Sequence, residues 1–294
     1  RSSFVADFRT RIIALAGGTP EFEIDIRELY FNYRSNFVDI DVGFFPLEWS
    51  AMNVFKTADF FQPAATPFLT GELLSSSRTG IHAIFYFGLF SLEGVYLPLY
   101  SAPGSVSDYL GSSLGVGFYP QDIDFDQIDE KPGPTFDHFQ AAGRFGLAIA
   151  ALDLYLLGFH GYSNQEIRTS QTVFEPPASP SLLVEREYGI VDTLGLSTSF
   201  ELLGFVVSAE ATVTFEALVL VDEVVELPQP VGTVTDKVLA RAPVLAWSAG
   251  FDWKFLPNTR LLFEYSDLHV LEKFDSLDET ALAGDTFFAA LDII

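Results

Sequence analysis

From Phe205 to Glu216 apolar and polar residues alternate one by one. Phe205, Val207, Ala209, Ala211, Val213 and Phe215 fall on one side, and Val206, Ser208, Glu210, Thr212, Thr214 and Glu216 on the other. Successive side chains of a strand point to opposite faces, so the run predicts a β-strand with one apolar and one largely polar face. The period recurs along the chain. Phe4, Ala6, Phe8 and Ile12 oppose Asp7, Arg9 and Arg11, while Val38, Ile40 and Val42 oppose Asp39 and Asp41. Near the other end Leu245, Trp247, Ala249, Phe251 and Trp253 oppose Ser248, Asp252 and Lys254, and Leu261, Phe263 and Tyr265 oppose Arg260, Glu264 and Ser266. A change of parity near Ile26–Glu28 predicts a bulge.

Read this way, the chain predicts about twelve strands. They lie near residues 2–14, 21–33, 37–43, 80–88, 90–98, 136–149, 151–162, 183–201, 203–217, 238–255, 259–267 and 284–294. Tight turns are expected at 34–36, 88–90, 149–151, 202–204 and 256–258. Longer connections are expected at 44–79, 99–135, 163–182, 218–236 and 268–283. Short turns alternating with long loops are the layout of an antiparallel transmembrane β-barrel, with the turns on one side and the loops on the other. The expected organisation is one barrel domain over residues 1–294.

Hydropathy alone would mark residues 80–100, 145–162 and 203–221 as helical spans. Glu93, Asp153 and Glu210 fall inside them, and a carboxylate in mid-membrane is costly on a helix. The same segments are rich in Val, Ile, Phe, Tyr and Thr, which favour strands, and flanking Lys and Arg are sparse. The alternating runs also exceed the usual soluble strand of about 5–6 residues and approach the membrane-strand length. A soluble β-sandwich, whose apolar faces pack on a second sheet, is the competing fold.

Composition narrows the function. A net charge of -24 over 294 residues excludes the basic footprint a nucleic-acid binder needs. With 49% hydrophobic and 19% charged residues the chain is not a disordered acidic tail. It has 15% aromatics, 30 of them Phe, suited to strands and membrane interfaces. Having no Cys, it has no disulfide framework, thiolate zinc site or cysteine nucleophile. It begins at Arg1 without Met, as expected of a mature or trimmed form.

One stretch carries a resemblance. Arg27-Glu28-Leu29-Tyr30 leads through Asp39-Ile40-Asp41-Val42-Gly43 to Glu48-Trp49-Ser50, then to Asp59-Phe60-Phe61-Gln62-Pro63. This resembles a pattern in porin-like bacterial outer-membrane proteins: an Arg-Glu-x-Tyr run, a hairpin, an Asp-x-x-x-Gly run, a Trp-Gly pair and a later Asp and Pro. The resemblance covers the first quarter of the chain. Ser50 stands where the pattern has glycine, and the chain ends Leu291-Asp292-Ile293-Ile294 rather than in the aromatic residue usual in such barrels. The resemblance implies a barrel in the bacterial outer membrane.

Residues 44–79 form the strongest functional candidate among the loops. Trp49, Met52, Phe55, Phe60, Phe61 and Pro63 are too apolar to lie in water, so the loop is expected to fold inward and narrow the barrel, with Trp49, Phe55, Asp59, Phe60 and Phe61 at the constriction. The alternative is a loop packed over the barrel mouth with no role in transport. The expected lumen carries Asp39, Asp41, Arg144, Glu210, Glu216, Asp252, Lys254, Arg260 and Glu264. Acidic rings favour cations, whereas cross-strand pairing would neutralise them.

Other chemistry finds little support. His160 and Ser163 faintly echo an outer-membrane phospholipase motif, but a separation of three puts them on opposite faces of a strand. The four His are scattered, with surface or girdle positions expected. The acidic run Asp122, Asp124, Asp126, Asp129 and Glu130 lacks the glycine and closing Glu of a calcium loop and reads as a solvated loop. No catalytic residue, cofactor or metal is expected. The leading expectation is a porin-like channel passing small cationic or neutral solutes, with the lipid bilayer as its surroundings. The alternatives are a plugged barrel serving as anchor, adhesin or subunit with envelope protein partners, and a soluble β-sandwich binding module.

Overall fold

The computed structural model describes residues 1–13, 21–61, 77–100, 124–129, 135–163, 167–173, 181–226, 233–256, 259–271 and 286–293. The strands are β1 (Ser2–Ile13), β2 (Glu21–Arg34), β3 (Val38–Pro46), β4 (Ser77–Phe87), β5 (Phe90–Leu97), β6 (Asp124–Asp129), β7 (Gln140–Ile149), β8 (Leu152–Tyr162), β9 (Ile167–Val173), β10 (Ser181–Glu187), β11 (Ile190–Leu202), β12 (Phe205–Glu226), β13 (Thr233–Leu256), β14 (Thr259–Val270) and β15 (Thr286–Ile293). A 3-10 turn spans Phe136–His138. No helix among the described residues is long and apolar enough to cross a membrane.

Twelve strands form one sheet in the order β1-β2-β3-β4-β5-β7-β8-β11-β12-β13-β14-β15, antiparallel throughout. Tight connections join β4 to β5 and β7 to β8. Leu203 and Gly204 join β11 to β12 with φ of 51° and 82°, the pair of positive values that a mirror-image hairpin turn requires. The expected bulge in β2 is present: Asp7 pairs with Glu28 but Phe8 with Ile26, leaving Arg27 as the extra residue.

Three sequence expectations are corrected. The run at 183–201 is two strands, because the chain breaks at Tyr188-Gly189 and β10 leaves the main sheet. β10 instead pairs with β6 and β9 in a small second sheet, so strands occupy parts of the connections expected at 99–135 and 163–182, including the acidic run at Asp124–Asp129. The connection expected at 218–236 is mostly ladder, since β12 and β13 stay paired out to Glu226 and Thr233. Parity hid this extension. Thr214 pairs with Val244 but Ala217 with Ala242, so β12 carries one extra residue and its alternation flips there. Pro243, which has no amide hydrogen to give a ladder, sits opposite the irregularity.

The main sheet is inside out by the standard of a soluble protein. Along β8 and β11 Leu156 and Leu194 are 59% and 58% exposed. On the opposite face Glu210, Ser248 and Glu264 are 2%, 0% and 1% exposed. Water-soluble folds bury Leu and expose Glu, so a broad exposed apolar face marks a surface meant for another apolar medium or partner. The polar face is covered by the chain itself. Residues 47–61, which follow β3, lie against it, with Trp49, Met52, Ala58 and Phe61 almost fully buried.

The segment links distant strands of the sheet. Trp49 bonds to Glu93 on β5 while Asn53 bonds to Glu264 on β14. These strands are six places apart in the sheet order, so one short stretch of chain ties together positions that strand pairing alone leaves far apart.

Candidate functional site

The site is the inner face of the main sheet together with residues 47–61. Inward positions of neighbouring strands lie side by side in an antiparallel ladder, so polar residues at matched heights form lateral chains. Asn32 on β2 pairs with Asp41 on β3, which pairs with His82 on β4. The Asn32 amide donates to Asp41, and the two His82 nitrogens lie 3.3 Å from Asp41 and 2.7 Å from Glu93. Glu93 on β5 faces Arg144 on β7, whose Nε donates to it at 2.7 Å. The Arg144 guanidinium lies over the rings of Trp49 and Tyr155, at 5.3 and 4.5 Å from their centroids. Such cation–π contacts strengthen as water is excluded, and the Arg144 side chain is 19% exposed.

Three wall glutamates hold the segment. The Trp49 indole donates to Glu93 at 2.7 Å. Glu210 on β12 accepts from the Ser50 hydroxyl at 2.9 Å, from the amides of Ala51 and Ala58, and from Ser197 on β11. Glu264 on β14 accepts from the amides of Asn53, Val54 and Phe55 at 2.7, 2.8 and 3.0 Å, and from the Asn53 side chain. Consecutive amides converging on one carboxylate make a small anion-binding nest, here filled by the wall's own side chain. Gly250 on β13 makes room for it: a Cβ there would lie 2.8 Å from the Glu264 Cγ and 3.0 Å from the Met52 Cε.

Further contacts fix the rest of the segment. Thr57 donates to Ser248 at 3.0 Å, and Arg260, bonded to Asp252, also donates to Asn53. The Phe61 carbonyl accepts from Arg78 on β4. Trp49, Phe60 and Phe61 pack with Phe159 on β8 into an aromatic cluster. Within the segment Lys56 pairs with Glu48. Asp59 is 7% exposed; its Oδ1 accepts from the Phe61 amide, but Oδ2 has no hydrogen-bond partner among the described residues. Burial pushes the Asp59 carboxyl up to about 7. The Phe61 amide and Lys56 pull against burial, while Glu48 and Glu210 add to it.

The residues singled out from sequence separate into two groups. Trp49, Phe55, Asp59, Phe60 and Phe61 all lie in the inward segment, although Phe55 and Phe60 are only half-buried. Asp41, Arg144, Glu210, Asp252, Arg260 and Glu264 lie on the inner face and join the contacts above. Asp39 sits nearer the turn end, accepting from Tyr86 at 3.3 Å with Arg34 at 3.9 Å. Lys254 is exposed. Glu216 is placed elsewhere: it occupies the bulge, has a φ of 54° and a 75% exposed side chain, and faces Arg241.

Glu93, His82, Asn53 and Arg78 were missed. Glu93 was legible from the alternation of Phe90, Leu92 and Gly94 with Ser91, Glu93 and Val95. His82 corrects the expectation of a surface or girdle histidine, because its side chain is 12% exposed between two carboxylates. Asn53 and the backbone amides carry no signal in sequence, since their role depends on how the segment bends.

No known protein family matches the chain, and no curated protein matches it. Solved structures do. A loop-deletion mutant of OmpT, an outer membrane protein of Vibrio cholerae, is 10% identical, with 91% of this chain and 81% of that one covered at a TM-score of 0.42. A mutant of TodX, a monoaromatic hydrocarbon channel, is 12% identical over 97% of this chain and 78% of its own at 0.34. The Pseudomonas putida toluene transporter TodX is 11% identical over 98% and 78% at 0.30.

Proposed function

We propose that the chain is an outer-membrane β-barrel, closed between β1 and β15 into twelve strands, that acts as a channel for small solutes. Residues 47–61 narrow its lumen. The carrying observation is the set of wall glutamates, Glu93, Glu210 and Glu264, that bind this segment across the inner face of strands far apart in the sheet. A lumen filled by side chains from the wall would need no such segment. A lumen wide enough to pass solute needs something to set its bore, and an inward-folded loop does so sterically. The exposed apolar face supports the bilayer as the barrel's surroundings. The carboxylates around the segment support a preference for cationic or neutral solutes over anions.

The number of hydrogen bonds on the segment favours a second reading, in which it is a permanent plug and the barrel is an anchor with envelope protein partners. Planar-bilayer recording separates the two. The channel reading expects stepwise conductance from the wild type and a larger step from the Glu210→Gln, Glu264→Gln double variant, because the segment loses its charge-assisted bonds. Silence from both, with the barrel folded, favours the plug.

A further inference from the structure

Residues 47–61 are seated mostly by donors on the segment meeting acceptors on the wall, with Arg260 to Asn53 and Arg78 to the Phe61 carbonyl running the other way. Asp59 stands apart from both kinds of contact. It is a carboxylate carried by the segment, 7% exposed, with one oxygen bonded to the Phe61 amide and the other unpartnered among the described residues. Lys56 and Arg78 act on it through their fields, while Glu48 and Glu210 oppose them. On its own segment Lys56 is committed to Glu48. From β12 it meets the field of Glu210, and Arg78 on β4, which donates to the Phe61 carbonyl, lies near enough to feel the Asp59 charge. A buried carboxylate lacking a full set of partners is tolerated when protonated and penalised when ionised.

We propose that Asp59 is a pH-sensitive latch, whose protonated carboxyl lets residues 47–61 seat against the inner face and whose ionisation loosens them. This rests on the reading of the segment as the constriction, but it concerns seating and not conduction. In the seated segment burial raises the Asp59 carboxyl from 3.8 to about 7. In a released segment the carboxyl is in water and returns toward its ordinary value. Between those limits the seated form binds more protons, so raising the pH favours release by up to about tenfold per pH unit. Below this window the latch is fully set, and above it the release equilibrium is level.

The chain has 3 Trp, and Trp49 is the one inside the segment. With Trp247→Phe and Trp253→Phe in place, acrylamide quenching of Trp49 in detergent micelles reads seating directly, whether or not the barrel conducts. The expected result is quenching that rises from about pH 4 to about pH 7 and then levels, with the rise lost in Asp59→Asn. An identical rise in Asp59→Asn would assign the effect to another group, such as His82, and overturn the proposal, as would a flat wild-type profile. If Asp59→Asn does not fold, Lys56→Gln carries the test. Removing the nearby positive charge should move the upper end of the rise to higher pH, and an unmoved profile would overturn the latch.

Discussion

Glu264 shows how much one side chain can organise. Its two oxygens take the amides of Asn53, Val54 and Phe55 at one bend, so three backbone donors that would otherwise be orphaned indoors are satisfied at once. Hydrogen bonds to a charged acceptor contribute about 1.5–3 kcal/mol each. Glu264→Gln keeps the shape and loses the charge, so it should weaken seating by a few of these units and increase Trp49 quenching at every pH. Glu264→Ala should do more, because it leaves the amides without an acceptor. On the outer face Ala211 lies among Leu196, Trp247 and other apolar neighbours of its ladder. Ala211→Arg should cost about 2–4 kcal/mol in a bilayer and reduce the yield of folded barrel, read as the fraction of protein in the unheated gel band. The facing of these residues was legible, because parity alone separates Ala211 from Glu210. The partners of Glu264 were not, because backbone amides leave no mark in composition.

At the scale of elements the tight turns at 88–90, 149–151 and 202–204 were the most legible feature and the strand ends the least, while the turn expected at 256–258 lies partly outside the described residues. Gly88, Ala150, Leu203 and Gly204 all take positive φ where the chain reverses. Long connections were misread wherever strands continued or re-formed outside the main sheet. β12 explains why. Its alternation runs from Phe205 to Thr214, flips at the extra residue, and resumes with Val219 1% exposed on the other parity. The first part is about as long as a membrane strand, and the second packs in its own small cluster with Ala242 and Val244. On the proposed reading, the bulge at Glu216 marks where β12 leaves the bilayer and the β12–β13 hairpin projects beyond it. Deleting Glu216 removes the flip, so either the Phe205–Thr214 face or the Val219 face must turn wrongly. The expected result is loss of the heat-modifiable band, whereas Glu216→Ala, which keeps the residue count, should fold. Removing residues 48–60 and closing the gap with a short Gly-Ser linker tests the other element. The wall should still assemble, and the conductance step should grow.

Over the whole molecule the polar and apolar faces are exchanged relative to a soluble protein. On the proposed reading a bilayer covers the apolar face, while the inner glutamates take an internal ligand that residues 47–61 supply. The net charge of -24 fits a protein that does not bind nucleic acid. In the proposed channel these features are joined by closure of the sheet between β1 and β15, its two outermost strands. A curled sheet with open edges would expose unpaired amides and carbonyls to lipid, each costly there, so closure is what a membrane demands. The most direct test is the electrophoretic mobility of the detergent-folded protein before and after boiling. The account predicts a faster-running unheated band that shifts on boiling, as a closed, detergent-stable barrel gives. A single unshifted band from protein that stays monodisperse without detergent would contradict it and point back to a soluble β-sandwich.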